Sequence, residues 1–280
     1  MTRPDARSSG QCRPLLGTYV EIHLAADEDD DGLLDRSLAA FEEISRIQRL
    51  MSFHDPESEL SRINASAHLA EIPVSPDMRR VLSFAMALAE ASGGVFDPTI
   101  APALVRRGVL PDHGSCPEKP ADWRSIHLGD ESVRFDQALR LDLGGIAKGY
   151  AVDLALAVIG DDVDATVNAG GDLAMTRWQE RDVEIRTPAS DGRATLSVPM
   201  ENRALATSAA YYLESEHVIL HPGNLKPLER KDSASVFASS CMAADALTKV
   251  VLLLPDPAPV LRRFDAQGLV IDLEGTIVRL

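Results

Sequence analysis

The sequence is short of cysteine, of positive charge and of long apolar runs, and each shortage excludes something. Its three cysteines, Cys12, Cys116 and Cys241, are an odd number at wide spacings, which suits neither a disulfide framework nor a zinc site. They read as buried or idle thiols. Lys and Arg number 28 against 43 Asp and Glu, a net charge of −15, so the chain lacks the basic surface that binding to a phosphate backbone requires. Nucleic acid is therefore not an expected partner. No apolar stretch is long enough to span a bilayer, and MTRPDARSSGQCRPLLGTYV contains no apolar run of signal-peptide length before Cys12. The chain as given reads as cytoplasmic, with no membrane segment. No internal repeat occurs. What is present is 280 residues, 45% of them hydrophobic, enough to fill one large domain or two lobes.

Periodicity places the elements. Leu16 to Leu24 reads as a strand, and residues 1–14 are expected to be disordered. From Leu33 to Leu50, apolar residues at Leu34, Leu38, Phe41, Ile44 and Ile47 recur at steps of three and four, the spacing of an amphipathic helix. Ser75-Pro76-Asp77 supplies an N-cap, a proline at the first helical position and an acidic first turn for a helix reaching about Ser92, where Gly93-Gly94 stops it. Residues 112–123, rich in Pro, Gly and charge, are the expected lobe break. Strand character recurs at Asp164–Asn168, Val183–Thr187, Ala194–Val198, Ala204–Thr207, His217–Leu220 and Ala234–Ala238. A helix over Met242–Leu254 and closing strands at Gly268–Leu273 and Thr276–Leu280 complete a mixed pattern, which predicts an α+β domain rather than βαβ alternation.

One stretch poses a problem. In LDLGGIAKGYAVD, Leu141 to Asp153, Gly149 falls in the first turns of an apolar helix, where glycine costs roughly 1 kcal/mol relative to alanine. Something should compensate. A strand ending at Leu143, two glycines and a helix beginning near Ile146 would aim free backbone N–H groups and the positive helix end at one spot, an anion site to which Lys148 adds a charge. The order of residues matches neither a P-loop nor GxGxxG. A glycine-packed helix with a solvent-facing lysine explains the string about equally well.

The other motifs are weaker alone. Asn168-Ala169-Gly170-Gly171-Asp172 follows an apolar strand and reads as a hairpin turn. Ala206-Thr207-Ser208 ends a strand with two hydroxyls. In CMAADALTKVV, Asp245 and Thr248 lie three apart on one helix face and offer two oxygens to a hard cation; a carboxylate in the helix's first turn is the plain alternative.

Taken in order, Gly17-Thr18, MSFHDPESELSRIN, Gly93-Gly94-Val95-Phe96-Asp97-Pro98-Thr99, DLGGIAKGYAVD, NAGGD, Ala206-Thr207-Ser208 and ADALT resemble the ApbE family, the FAD:protein FMN transferases, over nearly the whole chain. The resemblance implies one two-lobed, T-fold-related α+β domain with mixed or antiparallel sheets, helices on the faces and a central FAD cleft. It implies transfer of FMN from FAD to a Thr or Ser hydroxyl of an acceptor flavoprotein, with release of AMP and with Mg²⁺ at the pyrophosphate. Carried over position by position, Leu16, His54, Val95, Phe96, Asp97, Asp142, Lys148, Thr207, Ser208 and His217 serve the cofactor. Gly145 through its carbonyl, Asp245 and Thr248 serve the metal, and His217 and Asp245 are the catalytic candidates, His217 because an imidazole titrates near neutrality.

Three departures accompany the match. His54 stands where the family usually has tyrosine. Ile219-Leu220-His221-Pro222 lacks the aspartate of the family's IIDP. Lys249 takes the place, four residues after Asp245, where the family's second metal-ligating threonine is expected, while Thr248 lies one residue, about 100° of helix rotation, away. From these departures follows a second reading, an FAD-binding protein of the same fold without transfer. A phosphate-binding hydrolase is a weaker third, since no nucleophile accompanies the Gly-Lys helix.

Overall fold

The computed structural model describes residues 7–26, 32–114, 117, 121–188, 195–209 and 219–280. Eight strands form one antiparallel sheet in the order β1-β2-β6-β7-β10-β11-β12-β13. They are β1 (Arg7–Leu15), β2 (Thr18–Ala26), β6 (Asp164–Ala169), β7 (Asp172–Met175), β10 (Ala204–Ala209), β11 (Ser233–Ala238), β12 (Gln267–Ile271) and β13 (Ile277–Arg279). A three-stranded sheet joins β3 (Ile72–Pro73), β5 (Ser132–Phe135) and β4 (Ile126–Leu128), and β8 (Asp182–Arg186) pairs with β9 (Thr195–Pro199). Among the described residues seven α-helices accompany them: α1 (Leu33–Met51), α2 (Glu59–Ser66), α3 (Pro76–Ala91), α4 (Ala101–Arg106), α5 (Ala147–Ile159), α6 (Cys241–Leu253) and α7 (Ala258–Arg263).

The long helices form as their spacing dictates. In α1, Leu33, Ser37, Ala40, Phe41, Ile44, Ile47 and Met51 are buried as one stripe, whereas of the expected stripe residues Leu34 is exposed and Leu38 half-buried, the inward face being rotated by one residue at the start of the helix. Ser75 caps α3 by accepting from the Met78 N–H, an interaction of about 1 kcal/mol. Helix α6 differs, being buried nearly all round, with Asp245 and Thr248 inside it fully inaccessible. Such a helix lies within a core rather than on a surface.

The strand β11 explains why. All six of its residues are buried; Ala234, Val236 and Ala238 join the core that includes α1, α5 and α6, whereas Phe237 joins a second cluster with Leu205, Leu269, Val183 and Ile185 beneath the β8–β9 hairpin. Period-2 alternation thus commits the two faces of one strand to two cores. Helix α5 packs against both α1 and α6, and α6 lies on β10 and β11.

Residues 1–14 are expected to be disordered, and of these 1–6 lie outside the described residues. Arg7–Leu15 instead forms β1, paired along its length with β2 through the tight turn Leu16-Gly17, both residues at positive φ (56° and 71°). Pro14 is tolerated because β1 is an edge strand. No strand ends at Leu143, since the segment before α5 is irregular. Of the expected strand His217–Leu220, residues 217 and 218 lie outside the described residues, and Leu220 makes only an isolated bridge to Pro227. Within the expected break at 112–123, residues 115, 116 and 118–120 likewise lie outside.

Candidate functional site

The site forms where the start of α5, the β6–β7 turn and the middle of α6 meet. Gly149 is the reason they can. A Cβ built on it would lie 2.2 Å from the carbonyl oxygen of Cys241 and 2.8 Å from the Met242 nitrogen, so the α6 backbone occupies the space that any other side chain would fill. The helices are held in that contact from both sides. Asp153 of α5 accepts from the Cys241 N–H (2.7 Å) and the Met242 N–H (2.9 Å), and the Gly149 N–H donates to Asp245 Oδ2 at 3.2 Å. Approach of backbone, not of a ligand, offsets the cost of glycine in α5.

Four charged side chains interlock at this junction. The Lys148 ammonium donates to Asp172 Oδ2 and lies 3.5 Å from Asp245 Oδ2. The Lys249 ammonium donates to Asp245 Oδ1 and, at 2.9 Å, to the Asp245 carbonyl oxygen. The carboxylates are inside, with side-chain exposures of 5% for Asp172 and 0% for Asp245, and the ammonium groups are outside, at 31% for Lys148 and 19% for Lys249. Two positive and two negative charges cancel, yet the accessible face of the cluster is cationic. Burial alone would lower the Lys148 pKa, but Asp172 and Asp245 outweigh it and hold the ammonium well above its ordinary value. Burial likewise opposes ionisation of Asp245, and Lys148 and Lys249 overcome it and keep its carboxyl below the usual range. Asp172 is pushed up by burial and by its neighbour Asp245, with Lys148 offsetting part of this.

The other expected residues differ in burial and in what holds them. Asp142 accepts from the Gly144 N–H at 3.0 Å and donates its own N–H to the Pro98 carbonyl, which ties the VFDPT segment to the glycine pair. Asp97 caps the turn after it, accepting from the Thr99 N–H and hydroxyl, both at 2.8 Å; Phe96 is buried and Val95 half-buried. Burial raises the pKa of both Asp97 and Asp142, and at Asp142 the Gly144 N–H and the Lys249 ammonium offset part of the rise. His54 itself is exposed. Gly145 packs against the Lys249 stem, its Cβ position 3.2 Å from Cε. Thr207 shares a hydrogen bond with Ser235 (2.8 Å), and its N–H donates to the Gly171 carbonyl. Leu16 stands in the β1–β2 turn, its N–H donating to Gln48 Oε1, beside Thr18, which touches the Gly170 position. His217 lies outside the described residues.

Two expectations are corrected. The α5 terminus does not present a set of free amides, because the N–H groups of Ile146 and Ala147 donate to the Leu143 carbonyl and that of Gly149 to Asp245. Nor do Gly145, Asp245 and Thr248 assemble a Mg²⁺ site. The Thr248 hydroxyl is bonded to Ser208 Oγ and to the Asp245 carbonyl, both at 2.7 Å, while both oxygens of Asp245 face ammonium groups. The donor set does not fit a divalent ion, and among the described residues no group of three His, Cys, Asp or Glu side chains suits a metal.

Two residues with a part in the site escaped the sequence. Asp172 read as the end of a hairpin turn, and the signal available was its place directly after two glycines. Asn64 of α2 clamps the Leu141 backbone in both directions, accepting at 2.7 Å and donating at 2.9 Å; it lies in the SRIN part of a quoted motif but carried no assigned role.

Fold and site together define an antiparallel α+β protein with a lysine–aspartate cluster where two core helices meet a glycine hairpin. A model described as the ApbE family matches residues 16–267, and the chain belongs to that family. It is 29% identical over 273 residues to a FAD:protein FMN transferase of Treponema pallidum (strain Nichols), covering 84% of this chain and 72% of that one. It is 26% identical over 260 residues to a FAD:protein FMN transferase of Klebsiella pneumoniae (strain 342), covering 85% and 79%. Among solved structures, the ApbE protein of Thermotoga maritima superposes with a TM-score of 0.81 at 24% identity over 98% of this chain and 97% of that one. The flavin transferase ApbE of Vibrio cholerae does so at 0.82 and 21% identity over the same shares. The α+β fold with antiparallel sheets is thus that of ApbE structures.

Proposed function

We propose that this chain is a FAD:protein FMN transferase, moving FMN from FAD to a Thr or Ser hydroxyl of an acceptor flavoprotein. The observation that carries this reading is the cationic outer face of the Lys148–Asp172–Asp245–Lys249 cluster. It suits a diphosphate, and it is assembled from three separate family motifs, DLGGIAKG, NAGGD and ADALT. In this reading the carboxylates aim the two ammonium groups, which meet the diphosphate as charge-assisted donors, each worth roughly 1.5–3 kcal/mol. His54, Val95, Phe96, Asp97 and Asp142 then line the nucleotide, with Leu16, Thr207 and Ser208 at its margin.

The reaction joins the acceptor's hydroxyl oxygen to the phosphorus of the FMN half, breaks that phosphorus's bond to the AMP oxygen and passes the hydroxyl proton to a base. His217 keeps that role on the resemblance alone. Fixed ammonium groups contribute by positioning the diphosphate and stabilising the charge that moves onto AMP as it leaves.

A second reading, a flavin-binding protein without transfer, draws support from the ligand set that does not fit a metal. The two are separated by incubating the chain with FAD and an acceptor domain and examining a denaturing gel for flavin fluorescence. Labelled acceptor is the expected result. FAD bound to the chain and released unchanged on denaturation, with the acceptor unlabelled, selects the second reading.

A further inference from the structure

We propose that the Lys249 ammonium is a fixed cation standing in for a divalent ion, so that the diphosphate in this cleft is met by protein ammonium groups without metal. The inference deepens the reading of the cleft as a FAD site, but its geometry is independent of that reading.

Three observations converge on it. First, the ammonium bonds the Asp245 carboxylate and the Asp245 carbonyl, and its stem lies against Gly145, with Nζ 3.9 Å from the Cβ position there. A magnesium-sized ion bound by Asp245 would stand about 2.1 Å from the carboxylate oxygen, in the space this ammonium holds and against its charge. Second, the neighbouring hydroxyl that sequence offers to a cation is turned away. Thr248 is fully buried and bonded to Ser208 and to its own helix. Third, a single cation already serves the other Asp245 oxygen, because Lys148 lies 3.5 Å from Oδ2 and the Gly149 N–H donates to the same atom.

Two of the three Lys249 donors go to Asp245. Among the described residues no hydrogen bond takes the third, and the side chain is 19% exposed. A compact ammonium on a four-carbon stem suits the proposed use, since it offers rotatable donors to a phosphate without dictating a planar geometry.

The test reads metal binding by Mn²⁺ alone, through the electron paramagnetic resonance of the free ion, in the full-length chain and in Lys249→Thr. The wild-type chain should leave millimolar Mn²⁺ free, and Lys249→Thr should bind it at least tenfold more tightly. Lys249→Arg keeps the charge and should exclude Mn²⁺ as the wild type does. Should Lys249→Thr fail to fold, Lys249→Gln keeps the stem and carries the same expectation. Wild-type chain that binds Mn²⁺ as tightly as the neutral variant overturns the proposal, and so does a folded neutral variant that binds none. A second arm titrates FAD with and without Mg²⁺. Wild-type affinity should agree within twofold in EDTA and in Mg²⁺, whereas Lys249→Thr should lose tenfold or more in EDTA and recover with Mg²⁺. A wild-type chain whose FAD affinity needs Mg²⁺ overturns the proposal. If FAD does not bind under either condition, the functional reading fails, and the Mn²⁺ arm still decides the role of Lys249.

Discussion

Replacing Gly149 by alanine separates two opposite expectations. Helix propensity alone says the variant gains about 1 kcal/mol. The structure says the added Cβ meets the Cys241 carbonyl oxygen at 2.2 Å, its carbon at 2.5 Å and the Met242 nitrogen at 2.8 Å, all backbone atoms. Ordinary contact begins near 3.4 Å, so α5 and α6 must separate by about 3.4 − 2.2 = 1.2 Å. Overpacking in a close-packed core costs about 1–3 kcal/mol. The same movement stretches the 3.2 Å bond from the Gly149 N–H to Asp245, and weakening a donor to a buried carboxylate adds about 1–3 kcal/mol. After subtracting the gain in propensity, Gly149→Ala should lose roughly 1–5 kcal/mol in urea unfolding with an unchanged m value. Gly144→Ala is the control, because its Cβ meets only the side chain of Asp142, at 3.3 Å; it should stay within about 1 kcal/mol of wild type. A Gly149→Ala protein as stable as wild type, or more so, would refute the close-contact argument.

Further consequences concern the charges. Lys148→Ala leaves Asp172 and Asp245 with one cation fewer; because a third of Lys148 faces solvent, the loss should be about 2–3 kcal/mol, under the 3–5 typical of a fully buried pair. The same variant should bind FAD roughly ten- to a hundredfold more weakly, read by quenching of flavin fluorescence, and unchanged affinity returns Lys148 to a structural role. Asp245, held below its usual value of 3.8 by Lys148 and Lys249, contributes stability that is present above that value and lost as pH falls through its lowered folded value. Lys249→Gln removes one of the two cations, so Asp245 protonates sooner and acid unfolding, followed by circular dichroism, should begin at higher pH than in wild type.

The parts of this protein set by neighbours along the chain were readable in its sequence, and the parts set by contacts across the fold were not. The α1 helix and the Ser75 cap are written in consecutive residues, although the buried stripe of α1 starts from Leu33 and Ser37 rather than from the expected Leu34 and Leu38. At Gly149 the string of residues showed that a cost had to be offset. Nothing near position 149 could say that residues 241 and 242 offset it. Strand β1 was missed because an edge strand containing Gly10 and Pro14 shows no alternation and owes its order to pairing with β2. Asp172 looked like turn chemistry, which it also is; its partner Lys148 lies 24 residues away along the chain. Lys249 was visible as a departure from the family pattern, but only the packing of its stem on Gly145 and its bonds to Asp245 show where its ammonium stands.

Transfer of FMN is read by mass spectrometry of an acceptor domain after incubation with this chain and FAD, with AMP quantified in the same mixture. The acceptor should gain the mass of one FMN less one water on a single Thr or Ser, with one AMP released for each. An unmodified acceptor and no AMP, under conditions in which a related transferase labels that acceptor and this chain binds FAD, would contradict the proposed transfer.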